Sequence, residues 1–162
     1  QAPLHRAVYY GLVNVVEVLI KEGASLDMFD SSGFTPLSIA LEQKRHDIAW
    51  FLLFCGASPH AKIRQGSPAL HLAITGKRSC ELAALMIKGG VDVEATNAKG
   101  HTALHVACAN GGSISLVACI VAANADVNAR DENGDTPLMV ACRHCSSKVV
   151  SYLLRHGADD TL

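Results

Sequence analysis

The sequence predicts an all-α solenoid of stacked helix-turn-helix units, and three observations predict it. A short pattern centred on leucine recurs at Leu4, Leu37, Leu70, Leu104 and Leu138, at intervals of 33 or 34 residues. Each leucine is followed by a small alanine: Ala7, Ala40, Ala73, Ala107 and Ala141. Each alanine is followed 16 or 17 residues later by a helix-stop residue, Gly23, Gly56, Gly90, Asn124 or Gly157. A period in this range marks units that bury their apolar faces only against their neighbours.

Residues 30 to 62 show how one unit is built. Asp30-Ser31-Ser32-Gly33 reads as a turn in which Gly33 takes positive φ. Thr35 offers a hydroxyl as N-cap, and Pro36 stands at the first helical position, where its missing N–H costs nothing. This first helix is expected to run to about Gln43. A second is expected from His46 or Asp47 to a C-cap at Gly56, with Ile48, Phe51, Leu52 and Cys55 as its core stripe.

The segments SSGFTPLSIA, AKGHTALHVACANG, ENGDTPLMVAC, NADVNARD and HGAD closely resemble the ankyrin repeat, and the resemblance covers the whole chain. It implies an ankyrin-repeat solenoid in one domain of five repeats, at about 1–29, 30–62, 63–96, 97–130 and 131–162. It also implies turns projecting as fingers and inner helices lining a concave face. His71 and His105 match the family's histidine, whose imidazole bridges neighbouring turns. Ser38 and Met139 depart from that histidine and Pro68 replaces the capping Thr of the third repeat, so those junctions are expected to be looser. Asn128 matches an asparagine that hydrogen-bonds across the turn.

A formal charge of −1 provides no global field for nucleic acid, and no apolar run is long enough to span a bilayer. The first repeat opens directly on its helix, so the chain is expected to be part of a longer protein and monomeric in isolation. Six cysteines could suggest disulfides, but Cys108 and Cys142 follow the small alanine of an inner helix and are expected to point inward, and Cys119 lies on an apolar stripe. Buried free thiols act as small hydrophobes, which points to a reducing compartment, cytoplasmic or nuclear. Cys142-x-x-Cys145 with His144 between is the nearest approach to a metal site, but no second ligand pair stands at zinc spacing. No phosphate loop and no nucleophile-base set is present, so no catalytic residue, metal or cofactor is expected.

The resemblance places partner contacts at finger tips and at the ends of inner helices. Carried across, these include Tyr9 and Tyr10, Phe34, Glu42 and Gln43, Arg64 and Gln65, Lys99 and His101, and Arg143 and His144. Binding hot spots favour Tyr, Trp and Arg. The expected function is a non-catalytic scaffold that binds a peptide or folded protein through the concave face. An alternative stays open. Trp50 and Phe54 lie at roughly 200° and 240° around the second helix from Ile48, opposite its core stripe. This convex strip would instead dock the repeats onto a larger enzyme, channel or adaptor. Lys44, Arg45, Lys77 and Arg78 occupy the inter-helix turns of repeats two and three, and form an expected basic edge for an acidic or phosphate-bearing partner.

Overall fold

The computed structural model describes residues 2–64, 66–144 and 147–161. Among the described residues there are ten helices and no strand, divided between two compact units, Gln1–Val91 and Asp92–Leu162.

The first unit holds α1 (Pro3–Tyr10), α2 (Val13–Lys21), α3 (Pro36–Glu42), α4 (His46–Phe54), α5 (Ala69–Ala73) and α6 (Ser79–Lys88). Each odd-numbered helix contacts the next helix in sequence, α3 lies between α1 and α5, and α4 packs on α6. The recurring leucines Leu4, Leu37 and Leu70 lie in this core with Val16, Leu52, Leu82 and Met86, all no more than 3% exposed. Capping chemistry explains where helices begin. At α3 the Thr35 hydroxyl accepts from the Ser38 N–H at 3.2 Å, and the Ser38 hydroxyl accepts from the Thr35 N–H at 3.3 Å. At α5 the N-cap is Pro68, which has no hydroxyl to offer, and the helix is only five residues long.

Two details of α4 differ from the sequence expectation. Its buried residues include Ile48, Ala49, Leu52 and Leu53, whereas Phe51 is half-buried and Cys55 is exposed. The helix is covered on two sides, by α3 and α6, so its buried face is broader than one stripe and is turned towards Ala49 and Leu53.

The second unit holds α7 (Ala103–Ala109), α8 (Ile114–Ala122), α9 (Pro137–His144) and α10 (Ser147–Arg155). Here α7 packs on α9 and α8 on α10, around Leu104, Ala107, Cys108, Val117, Ile120, Val149 and Leu153. Cys108 is buried as expected, but Cys142, its counterpart one repeat later, is exposed. Within the unit α9 covers α7, and no described helix lies beyond α9 to cover Cys142 in turn.

Fingers precede the inner helices, and three of them are each closed by one side-chain oxygen, whereas Ile63, at the corresponding place before α5, has none to offer. Asp30 Oδ1 accepts from the N–H groups of Ser32 and Phe34 at 2.8 and 3.0 Å. Asn97 does the same for Lys99 and His101, at 2.9 and 3.1 Å. Asp131 does so for Asn133 and Asp135, at 2.8 and 2.9 Å. A short carboxylate or amide that mimics a backbone turn in this way fixes the loop without a strand.

Candidate functional site

The end of α1 and the finger before α5 enclose an open groove of about 470 Å³ lined by Arg6, Tyr9, Tyr10, Ile39 and Arg64. Arg6, Tyr9 and Tyr10 stand at i, i+3 and i+4 of one helix and so share a face. Tyr9 and Tyr10 are 46% and 59% exposed, with rings edge to face at 5.3 Å. The guanidinium of Arg64 is held from two sides. Its Nε is 3.4 Å from Glu42 Oε2, and its Cζ lies 4.6 Å from the centre of the Phe34 ring. Glu42 Oε1 also accepts from the Arg64 N–H at 2.7 Å. Charge-assisted contacts and cation–π stacking together preorganise a side chain that still has 52% of its surface in solvent.

This geometry revises two expectations. Phe34 was placed on the finger surface, but it is 8% exposed. Its backbone is held by Asp30 and Arg64 lies over its ring, so Phe34 is the floor beneath the contact and not the contact itself. The Glu42 side chain is 14% exposed and is committed to Arg64. Gln43 is exposed beside it, and Gln65 lies outside the described residues. Arg6 escaped the sequence reading, although its i, i+3, i+4 relation to the tyrosines was a usable signal.

In the second unit Lys99, Arg143 and His144 are exposed and His101 is half-buried. His101 Nε2 lies 3.1 Å from Asp131 Oδ2, and its ring stacks on His105 at 5.7 Å. Arg143 pairs with Asp135. His105 is fully buried; its Nδ1 accepts from the Thr102 N–H at 3.2 Å and its Nε2 donates to the Asp135 carbonyl at 3.0 Å. Burial is the largest influence on this imidazole and holds its pKa below the ordinary 6.5, against the pull of the Asp135 carbonyl. For Asp131 burial alone would raise the carboxyl. The amides of Asn133 and Asp135, together with His101, outweigh it and hold the pKa below 3.8. Asn128 Nδ2 donates to the Gly157 carbonyl and its Oδ1 accepts from the Asp159 N–H, both at 2.9 Å.

The second expected surface is partly covered. Trp50 and Phe54 stack at 5.0 Å, yet Trp50 is half-buried with the Arg78 guanidinium 4.5 Å from its ring centre. Phe54 is 65% exposed. Arg78 is tied to Asp47 at 2.9 Å and Glu81 at 3.5 Å, while Lys44, Arg45 and Lys77 are exposed. Among the described residues no three His, Cys, Asp or Glu side chains converge as metal ligands, and Cys145 lies outside them. No described helix is long and apolar enough to cross a membrane.

Comparison with known proteins gives the family. The B-cell lymphoma 3 protein homolog of Mus musculus is 36% identical over 90 residues, covering 55% of this chain and 20% of the relative. The B-cell lymphoma 3 protein of Homo sapiens is 36% identical over 102 residues, 59% of this chain and 22% of the relative. Protein phosphatase 1 regulatory subunit 27 of Homo sapiens is 42% identical over 60 residues, 37% of this chain and 39% of the relative. The chain thus spans about a fifth of the first two relatives. A family model of ankyrin repeats (3 copies) matches residues 1–63 and 65–162, and the chain belongs to the ankyrin-repeat family.

Proposed function

We propose that this protein is a non-catalytic interaction scaffold whose concave face, at finger tips and inner-helix ends, binds a peptide or folded partner. One observation carries the reading: an arginine clamped by Glu42 and Phe34 faces two exposed tyrosines and Arg6 across a groove. Such an arrangement suits a partner that offers a carboxylate beside an apolar or aromatic side chain. Its rigidity lowers the ordering cost of binding. Lys99, His101, Arg143 and His144 form the contact set proposed for the second unit. A relative is named as a regulatory subunit of a phosphatase, which agrees with a binding role. The burial of Cys108 in the apolar core, as a small hydrophobe, supports a reducing compartment, cytoplasm or nucleus.

Affinity capture from cell extract, read by mass spectrometry, tests this with wild type beside a Tyr10→Ala, Arg64→Glu variant that still melts cooperatively. Partners lost in the variant assign the groove. An unchanged partner list rejects it.

The exposed Phe54 ring stacked on Trp50 favours a second reading, in which this strip docks the repeats on another part of a larger protein. In that case Phe54→Ala with Trp50→Ala abolishes capture while the Tyr10 and Arg64 variant does not.

A further inference from the structure

A second groove of about 500 Å³ lies in the first unit where the turns between paired helices come together. Gly11, His46 and Gly76 stand among its walls, and Lys44, Arg45 and Lys77 border it. The two glycines keep it open. A Cβ at Gly76 would fall 2.1 Å from the His46 ring, and one at Gly11 would fall 2.8 Å from the Arg45 guanidinium.

Three charges there are unanswered. Lys44, Arg45 and Lys77 are exposed and form no ion pair among the described residues. Asp47, the carboxylate on the wall, is already paired with Arg78 at 2.9 Å.

The backbone adds a separate observation. Where α1 ends, the Gly11 N–H bonds to the Val8 carbonyl and the Leu12 N–H to the Ala7 carbonyl. Where α3 ends, the Lys44 N–H bonds to Leu41 and the Arg45 N–H to Ala40; where α7 ends, Gly111 and Gly112 repeat the pattern. This helix stop needs a left-handed residue, and glycine adopts that conformation freely. Gly11 and Gly111 have φ of 73° and 64°, but Lys44 holds φ of 54°. A lysine therefore stands, under strain, where the turns after α1 and α7 use glycine, while Arg78, at φ of 59°, is the left-handed residue of the turn before α6, and Lys44 borders the groove.

We propose that this basic groove is a second docking site, separate from the tyrosine–arginine groove, and that it takes an extended peptide segment rich in Asp and Glu. Its cations are spread over two successive inter-helix turns and not gathered at one point. Separated carboxylates along a strand meet that spacing better than one phosphate does. Asp47 in the first turn of α4 also disfavours a single dense anion at that helix end. Charge complementarity of this kind sets encounter rate and choice of partner.

Fluorescence anisotropy on the full chain tests the proposal, using a fluorescein-labelled octapeptide of alternating Glu and Ser beside its Gln–Ser counterpart. The Glu peptide is expected to bind at least about tenfold more tightly at low ionic strength, and the advantage to shrink at about 0.15 M salt. Lys44→Gly with Lys77→Gln should weaken it by about fivefold or more, since each exposed pair contributes modestly. Glycine suits the turn at 44, so this variant removes charge without disturbing the fold. Amide shifts in the wild-type NMR spectrum are expected at Gly11, Gly76 and Lys77. Equal binding by the double variant overturns the proposal, as do shifts centred on Tyr10 and Arg64. Equal competition by an otherwise neutral peptide carrying one phosphoserine would also overturn the acidic-segment assignment.

Discussion

His5 and His105 show how one neighbouring residue decides whether a buried imidazole is satisfied. His105 uses both nitrogens, with the Thr102 N–H on Nδ1, the Thr102 hydroxyl 2.9 Å from the same nitrogen, and the Asp135 carbonyl on Nε2. His5 is just as buried, and its Nε2 reaches the carbonyls of Met28 and Phe34 at 2.9 and 3.1 Å. Its Nδ1 is buried with no partner among the described residues, and the residue three before it is Ala2, which has no hydroxyl. Ala2→Thr would add an N-cap to α1 and give Nδ1 a partner. We expect a gain of about 1 kcal/mol, seen as a higher urea midpoint at unchanged m-value. A lower midpoint would mean that Thr cannot adopt the capping geometry there. Gly76 makes the opposite case. Its φ is not left-handed, so any side chain fits the backbone, but a Cβ would sit 2.1 to 2.5 Å from three atoms of the His46 ring. Gly76→Ala should therefore destabilise the protein by about 1–3 kcal/mol through overpacking. A thermal midpoint within error of wild type would show that the imidazole swings aside.

The finger before α9 responds to pH because its closing residue, Asp131, titrates with a lowered pKa. Asp131 has a folded pKa below 3.8, so its stabilising contribution is complete above 3.8 and is lost as pH falls through the lowered value. The neutral His105 also has a depressed pKa; its contribution is present above 6.5 and is lost as pH falls through its own folded value. Both effects have the same sign, since in each window the unfolded chain binds more protons. Stability of the second unit, followed by urea titration, should thus drop in two steps on acidification. Asn97 closes its finger with the bonds that Asp131 makes, so Asp131→Asn should keep the fold and remove only the lower step. Persistence of the lower step in that variant would move its origin to another carboxylate. The repeat itself was legible in the sequence. Leucine period, Thr-Pro capping and glycine stops marked α3 and α4, because these depend on residues a few positions apart. The finger locks and the fate of Phe34 were not legible in this way. Phe34 is buried because Arg64, thirty residues later, folds over its ring, and a contact across that separation leaves no local pattern. Cys142 was misjudged for a related reason: burial at its position depends on a neighbouring repeat and not on its own helix.

Across the molecule stability is shared unevenly, because each helix pair draws its burial from the pairs beside it. In the first unit α4 buries His46, Ile48, Ala49, Leu52 and Leu53, whereas α2, of the same length, buries Val16. Leu12, at the start of α2, and Val13, Val15 and Val18 within it are each 43 to 57% exposed. Helical hydrogen bonds over so little buried surface open at low free energy, since local opening has few apolar contacts to break. In native-state hydrogen exchange we therefore expect α2 amides to exchange at least about tenfold faster than those of α4, by sub-global opening that leaves α3 and α4 protected. Tenfold corresponds to about 1.4 kcal/mol between the two openings, which is less than the transfer of one fully buried leucine. The difference in burial is larger than that, so the expectation is conservative. Equal protection in the two helices would mean that the exposed valines are covered in solution, by a second copy or by a further segment. Concentration dependence of the exchange would separate those two causes, because a second copy protects α2 only as the protein is concentrated and a segment of the same chain protects it at every concentration.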